Sequence, residues 1–397
     1  MKSPRGPVLT HSSPTTHRLL VAALAVPLCI VACTSWQQVA DHGGWVLYHA
    51  AGEELSVADY EAAFGPAFEA VEEWLGPFTD PVRVHAWHGS VRVTESGHQR
   101  VQGAEDSGVQ DVPGIGLARI QAYHARGGGF NRTGIFIGVA DPGTAVHELV
   151  HARFAELGVS APLWFEEGIA SLLGDGALFE GRWVVDGLAF WPLLELREAN
   201  LDDGDLARLL DLAASDDFDV RDNVLVHFLG WAVIFDLYRE TQSLDWERWL
   251  ADFEAGDPLP EVRRRLDRTL GSMTEKLWLK RLAHPDPAVR LAAAKGAWKL
   301  RTRAALDTLL AAAAREQHGQ VRTALAVNAL ATAGELRLSW RAWRRIERTL
   351  DRAFTPEGLS DPRERAALEV LRDSYRDGSR RTEAREALDR LARYWEE

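Results

Sequence analysis

The chain has 397 residues, a formal net charge of −13 at pH 7, 46% apolar residues and 26% charged ones. That is the balance of a globular protein long enough for more than one domain, and its acidity argues against nucleic acid as a partner, because phosphate binding needs a basic surface. The only cysteines, Cys29 and Cys33, lie near the N-terminus, which excludes a disulfide framework for the rest of the chain.

Lys2, Arg5 and Arg18 form a positive N-terminal region, followed by an apolar stretch at residues 19–32. The stretch is short for a membrane span and suits a signal peptide. It ends in Ile30-Val31-Ala32-Cys33, which resembles the bacterial lipobox, where the cysteine is acylated and becomes the new N-terminus. Cys29 fits less well because Leu28 precedes it. The reading is a signal peptide at 1–32, lipidation at Cys33, a tether at 33–44 and a place on the non-cytoplasmic side of a bacterial membrane. An ordinary signal peptide or an uncleaved anchor is the alternative.

Residues 45–50 (WVLYHA) read as a strand. Residues 57–75 read as an amphipathic helix, with Tyr60, Phe64, Phe68, Val71 and Leu75 at helical spacing. Gly65-Pro66 is expected to kink or split it. Residues 82–87 alternate like a half-buried strand, 98–116 read as a glycine-rich loop or hairpin, 126–130 as a turn and 134–139 as a strand. Asp141-Pro142 is an N-cap followed by the favoured first helical residue, and Gly158 is a stop. A second short helix starts after Pro162 and ends at Gly174. The acid-rich run 200–222 is expected to be a solvated face, and 223–238 an apolar helix. Further on, residues 283–300 match 318–333 at an offset of 32, pairing Val289-Arg290 with Val321-Arg322 and Ala297 with Ala329. A period near this length marks stacked helix pairs, and the DPAVRLAAA run resembles a HEAT-type repeat. A plain alanine-rich bundle is the alternative.

Chemistry is concentrated in His147-Glu148-Leu149-Val150-His151. Two histidines four apart on a helix present both imidazoles on one face, where they can bind one metal ion. Imidazole nitrogen with carboxylate oxygen suits Zn2+. Glu148, about 100° round the helix from His147, can act as general base on the attacking water without being a ligand. A third ligand is needed. Phe154 and Leu157 stand where a metzincin has glycine and histidine, so that pattern fails. Glu156 points away from the histidine face. Glu166 and Glu167 at the start of the second helix are the next candidates, with Asp175 more distant. Trp164 and Phe165 read as core anchors, and His85, His88 and His124 as structural or exposed.

HELVH followed by PLWFEEGIA resembles the gluzincin-type, peptidase MA-like zinc metallopeptidases, in which a Trp-aliphatic-x-Glu-Gly-x-Ala segment supplies the third ligand. Phe165 replaces the aliphatic residue. The resemblance implies Glu167 as ligand and Glu166 as the variable neighbour, fifteen residues lying between His151 and Glu167. Relatives carry a tyrosine four residues before a tryptophan as an oxyanion donor. Here His227 precedes Trp231, with Tyr238 and Arg153 as weaker candidates for that role.

The fold implied is α+β: a zincin-like peptidase domain at 45–272, HEAT-like helical repeats at 273–335 and C-terminal helices at 336–397. The function implied is a lipid-anchored zinc metallopeptidase acting on a peptide or protein substrate, with the repeats as a surface for a protein partner. The competing reading is a lipid-anchored scaffold or binding protein whose zinc site is catalytically silent.

Overall fold

The computed structural model describes residues 36–50, 56–86, 91–93, 99–101, 122–125, 134–137, 140–185, 191–213, 220–297, 300, 302–336, 338, 342 and 346. The expected signal peptide, Cys29 and Cys33, the turn at 126–130, most of the loop at 98–116 and nearly all of 336–397 lie outside these residues. The described chain is α+β and mostly helical, with twelve helices and small sheets among the described residues.

The first strand is β1 (Trp36–Asp41), which pairs antiparallel with β2 (Trp45–Ala50). Residues 36–41 were expected in a tether. The ladder to β2 makes them part of the sheet instead, an edge strand of three polar and three apolar residues in which Val39 and Ala40 pack against the core. In β2, Trp45 and Leu47 are buried, the two-residue alternation of a half-buried strand.

Helix α1 (Val57–Leu75) opens at the Ser56 cap and buries Tyr60, Phe64, Phe68, Val71 and Leu75. The Gly65-Pro66 pair does not split it. A proline removes a single backbone donor, and the buried Phe64, Ala67 and Phe68 around it hold both halves of the helix to the core.

Strand β3 (Val82–Ala86) runs parallel to β2, β4 (Val91–Val93) pairs with β5 (Gln99–Val101), and β6 (Ala122–Ala125) pairs antiparallel with β7 (Gly134–Ile137). The main sheet has the order β1-β2-β3-β7-β6. His85 in β3 is buried and stacks on Tyr48 at 5.1 Å.

Two helices follow the sheet. In α2 (Pro142–Glu156), the Asp141 carboxylate accepts from the Thr144 N–H at 2.7 Å. Next comes α3 (Leu163–Gly174), which buries Trp164 and Phe165 as core anchors. A hairpin of β8 (Ala177–Phe179) and β9 (Arg182–Val184) continues from it. Then come α4 (Trp191–Ala199), α5 (Asp203–Leu210) and the long α6 (Val220–Thr241).

The acid-rich run is not simply a solvated face. Among its described acids, Asp202, Asp203 and Asp211 are exposed and Asp202 and Asp205 form a capping box, but Leu201, Leu206 and Leu209 are buried. Charge dominates the composition there, whereas the spacing of the leucines decides the packing.

Helices α7 (Trp246–Glu254) and α8 (Leu259–Ser272) support α6, where the buried Asp236 carboxylate meets Arg265 at 3.0 Å. The last described layer is α9 (Glu275–Arg281), α10 (Pro287–Gly296), α11 (Arg303–Ala313) and α12 (Gly319–Glu335). At the 32-residue offset of the sequence, α10 aligns with the first ten residues of α12. Arg290 on α10 donates to both carboxylate oxygens of Glu316, at 2.7 and 2.9 Å, just before α12. This layer rests on the hairpin: Gln320 donates to the Leu178 carbonyl at 2.7 Å, and His318 packs on Phe179. No helix among the described residues is long and apolar enough to cross a membrane.

Candidate metal centre

The site is assembled by three helices. On α2 the His147 and His151 rings are 4.9 Å apart, and their Nε2 atoms approach to 3.2 Å. The apolar residues Val146, Leu149, Val150 and Phe154 are fully buried on the same helix. Core burial of that stripe fixes its rotation, and rotation decides where the two imidazoles point.

Helix α3 brings the carboxylates. Glu167 Oε2 lies 3.3 Å from Nε2 of His147 and 3.3 Å from Nε2 of His151. Glu166 turns the other way, with Oε1 2.8 Å from His151 Nδ1. An ionised carboxylate only accepts, so His151 donates its Nδ1–H to Glu166 and directs Nε2 toward Glu167. A carboxylate behind an imidazole is the usual support of a metal-binding histidine.

Helix α6 brings His227, whose Nε2 is 2.9 Å from Glu167 Oε2 and whose ring is parallel to that of His147, 5.7 Å away. His227 Nδ1 lies 2.7 Å from the Asn223 carbonyl and donates to it. His147, Glu167 and His227 each offer a donor atom within 4.8 Å of the other two.

The meeting of α3 and α6 depends on two glycines. A Cβ on Gly168 would stand 2.6 Å from the Gly230 carbonyl group, and one on Gly230 would collide with the Trp164 carbonyl oxygen. Only glycine permits this backbone-to-backbone approach. It sets Glu167, beside Gly168, against His227 one turn before Trp231. At the other end of α3, Gly174 crosses Gly143 of α2, where a Cβ on Gly174 would be 3.2 Å from that of His147.

Glu148 is buried, and its Oε2 has no hydrogen-bond partner among the described residues. Burial pushes its carboxyl up to about 7, against the pull of His151. Burial likewise lowers His147. It works to lower His151 too, but the charge of Glu167 and the hydrogen bonds to Glu166 and Glu167 outweigh it, so His151 stands well above the usual histidine range. Burial also opposes ionisation of Glu167, yet the charges of His227 and His151 hold it well below the carboxylate range. Burial works to lower His227, but the negative charge of Glu167 raises it overall.

Of the residues singled out in the sequence, His147, His151, Glu167 and His227 come together, with Glu166 directly behind. Asp175 contributes no donor to the group, and burial alone raises its carboxyl to about 7. Arg153 donates to the Leu75 carbonyl and pairs with Glu156, and Tyr238 packs edge-on against Trp74, so neither joins the cluster. Glu156 faces away from the histidines and accepts from Thr79 and Asp80. The Gly168–Gly230 crossing and the Asn223 carbonyl are contributions that motif reading missed. The Glu-Glu-Gly run carried half of that signal, and the glycine before Trp231 carried the other half.

The donor set fits zinc in kind: imidazole nitrogens and one carboxylate oxygen, with two of the imidazoles fixed in orientation by acceptors on their far nitrogens. No protein-family model, curated protein or solved structure matches the chain.

Proposed function

We propose that the chain is a zinc-dependent hydrolase of amide bonds with a gluzincin-like site, in which His147, His151 and Glu167 hold the metal and Glu148 is the general base. The observation that carries this reading is Glu167 Oε2 standing 3.3 Å from Nε2 of both histidines of the HELVH helix. The resemblance of HELVH and PLWFEEGIA to peptidase MA-like enzymes supports it. When bound, zinc supplies Lewis acidity toward the water and the scissile carbonyl. Glu148 takes the water's proton and can pass it to the leaving amine. Its buried, unpartnered oxygen and its raised carboxyl suit a base that works near neutral pH.

The zincin-like domain belongs in this proposal at 45–272, together with HEAT-like packing of α9 to α12. Lipid anchorage through Cys33 rests on the lipobox, and the substrate class is peptide or protein. The second reading, a lipid-anchored scaffold with a silent zinc site, is favoured by one observation, the crowding of His227 against the donor cluster.

The test compares wild type with Glu148→Gln for zinc content and for hydrolysis of a quenched-fluorescence peptide library. The enzyme reading expects stoichiometric zinc in both and a loss of about 10²–10⁴-fold in turnover for the variant. Zinc in both with turnover in neither selects the scaffold.

A further inference from the structure

Asp175 is a carboxylate that the metal centre leaves unused and that the fold does not serve. It is the C-cap of α3, at the negative end of the helix dipole, where a further negative charge is disfavoured. No hydrogen bond or ion pair reaches its carboxylate among the described residues, and burial is the sole influence on its carboxyl. A charge placed this deep normally comes with a partner. Asp175 has none, yet it is half-buried rather than sealed, so its carboxylate keeps an opening to solvent.

Its place is beside the metal centre. A Cβ on Gly174, the residue before it, would stand 3.2 Å from that of His147. At about 100° per residue, Gly168 lies about 100° round α3 from Glu167, Asp175 about 80° to the same side and Gly174 about 20° to the other. Gly168 meets α6 and Gly174 meets α2. Asp175 therefore lies on the side of α3 that looks into the angle between α2 and α6, about 12 Å along the helix from Glu167. Trp183 adds an aromatic wall. Its indole N–H donates to the Leu173 carbonyl at 2.8 Å. The ring passes 2.5 Å from where a Cβ on Gly176 would stand, next to Asp175, and approaches Gly143, one turn before His147. An unpaired carboxylate, a helix C-terminus and an aromatic ring all favour a cation, and the ring also suits a hydrocarbon stem.

We infer that Asp175 is a specificity-determining residue that receives the lysine or arginine side chain of a peptide lying across the metal centre. The inference deepens the hydrolase reading above and rests on it for the position of the peptide. Extended residues advance about 3.3–3.6 Å each, so the basic residue falls within about three residues of the scissile bond. The bound cation supplies the partner that the fold withholds from Asp175.

The experiment uses the full chain loaded with zinc. Quenched-fluorescence peptides carry either lysine or norleucine at one position, scanned through the peptide; norleucine keeps the stem and drops the charge. Values of kcat/KM are measured for wild type and Asp175→Asn. Fluorescence anisotropy gives the affinity of the same peptides for Glu148→Gln, with and without Asp175→Asn, so binding is read apart from turnover. At one position lysine should exceed norleucine by about 10–100-fold in wild type, the worth of a hydrogen-bonded charge, and the ratio should fall close to unity in Asp175→Asn. The wild-type ratio needs no variant, and melting checks the fold of Asp175→Asn. Cleavage with no lysine preference, or with one that persists in Asp175→Asn, overturns the inference and leaves the hydrolase reading standing. Lysine-selective binding that needs Asp175, without cleavage by wild type, upholds the role of Asp175 and overturns the hydrolase reading. Neither binding nor cleavage overturns both.

Discussion

Glu166 Oε1 accepts the Nδ1–H of His151 at 2.8 Å, so the first of two consecutive glutamates on α3 orients a ring that the second faces from the opposite side. The pair divides the work by direction: one carboxylate fixes the tautomer and the other supplies an oxygen to the cluster. Glu166→Ala is expected to lower zinc affinity by about 10–100-fold. Glu166→Gln, which keeps an acceptor oxygen, should lower it less. Chelator competition on the purified variants checks both. Wild-type affinity in Glu166→Ala would remove Glu166 from this role.

The crossing of α3 and α6 gives a second prediction. Gly168→Ala and Gly230→Ala each place a methyl group where backbone atoms already stand. Overpacking of this kind costs about 1–3 kcal/mol, and because the helices must part, zinc retention should fall with stability. Gly271→Ala on α8 is the control, since a Cβ there meets nothing within 4 Å. It should be neutral or stabilising by up to about 1 kcal/mol. Urea unfolding with zinc assay separates the three.

Glu156 should make the chain acid-sensitive at a defined place. Burial works to raise its carboxyl, but hydrogen bonds from the Thr79 side chain, the Asp80 and Thr79 backbone and Arg153 hold it below the usual value of 4.5. A carboxyl with a depressed folded pKa stabilises fully above its unfolded pKa, and that contribution is lost as pH falls through the folded one. Glu156→Gln should therefore cost about 1 kcal/mol or more at pH 7. The gap to wild type should close as the pH is taken below 4.5. A gap independent of pH would mean the charge is not what matters.

Asp175 carries the opposite sign. Burial raises its carboxyl from 3.8 to about 7, so ionisation works against the fold. The penalty is absent below pH 3.8, grows through the interval and is complete above about 7. Three units correspond to about 4 kcal/mol at the limit, but Asp175 keeps partial solvent access, and about 1–2 kcal/mol is the expected gain from Asp175→Asn at pH 8. At pH 4 the gain should vanish. Melting curves at the two values decide it.

Much of this arrangement is local and can be read from the chain. The apolar spacing from Tyr60 to Leu75 predicts α1, Asp141-Pro142 predicts the start of α2, and the four-residue separation of His147 and His151 predicts a shared helix face. Those signals depend on neighbours within a turn or two. Strand β1 escapes such reading because Trp36, Val39 and Ala40 do not alternate with its polar residues, and the ladder to β2 shifts register between Gln38 and Ala40. Within α5, acidic caps hide the buried Leu206 and Leu209. The choice between Glu166 and Glu167 turns on how far α3 is rotated against α2, a property of packing between helices. His227 lies far from the motif in the chain, and its place beside Glu167 depends on Gly230, which has no periodic signature.

The Gly168–Gly230 contact also limits how this centre can change over evolutionary time. Most helix interfaces tolerate exchange: a larger side chain on one face is matched by a smaller one opposite. Here both partners are already the smallest residue available, so no second substitution can make room for the first. A lineage that loses either glycine must rebuild the whole junction or abandon it, whereas the imidazoles and carboxylates around it can be altered one at a time. The position least able to drift is thus a spot with no side chain and no chemistry of its own.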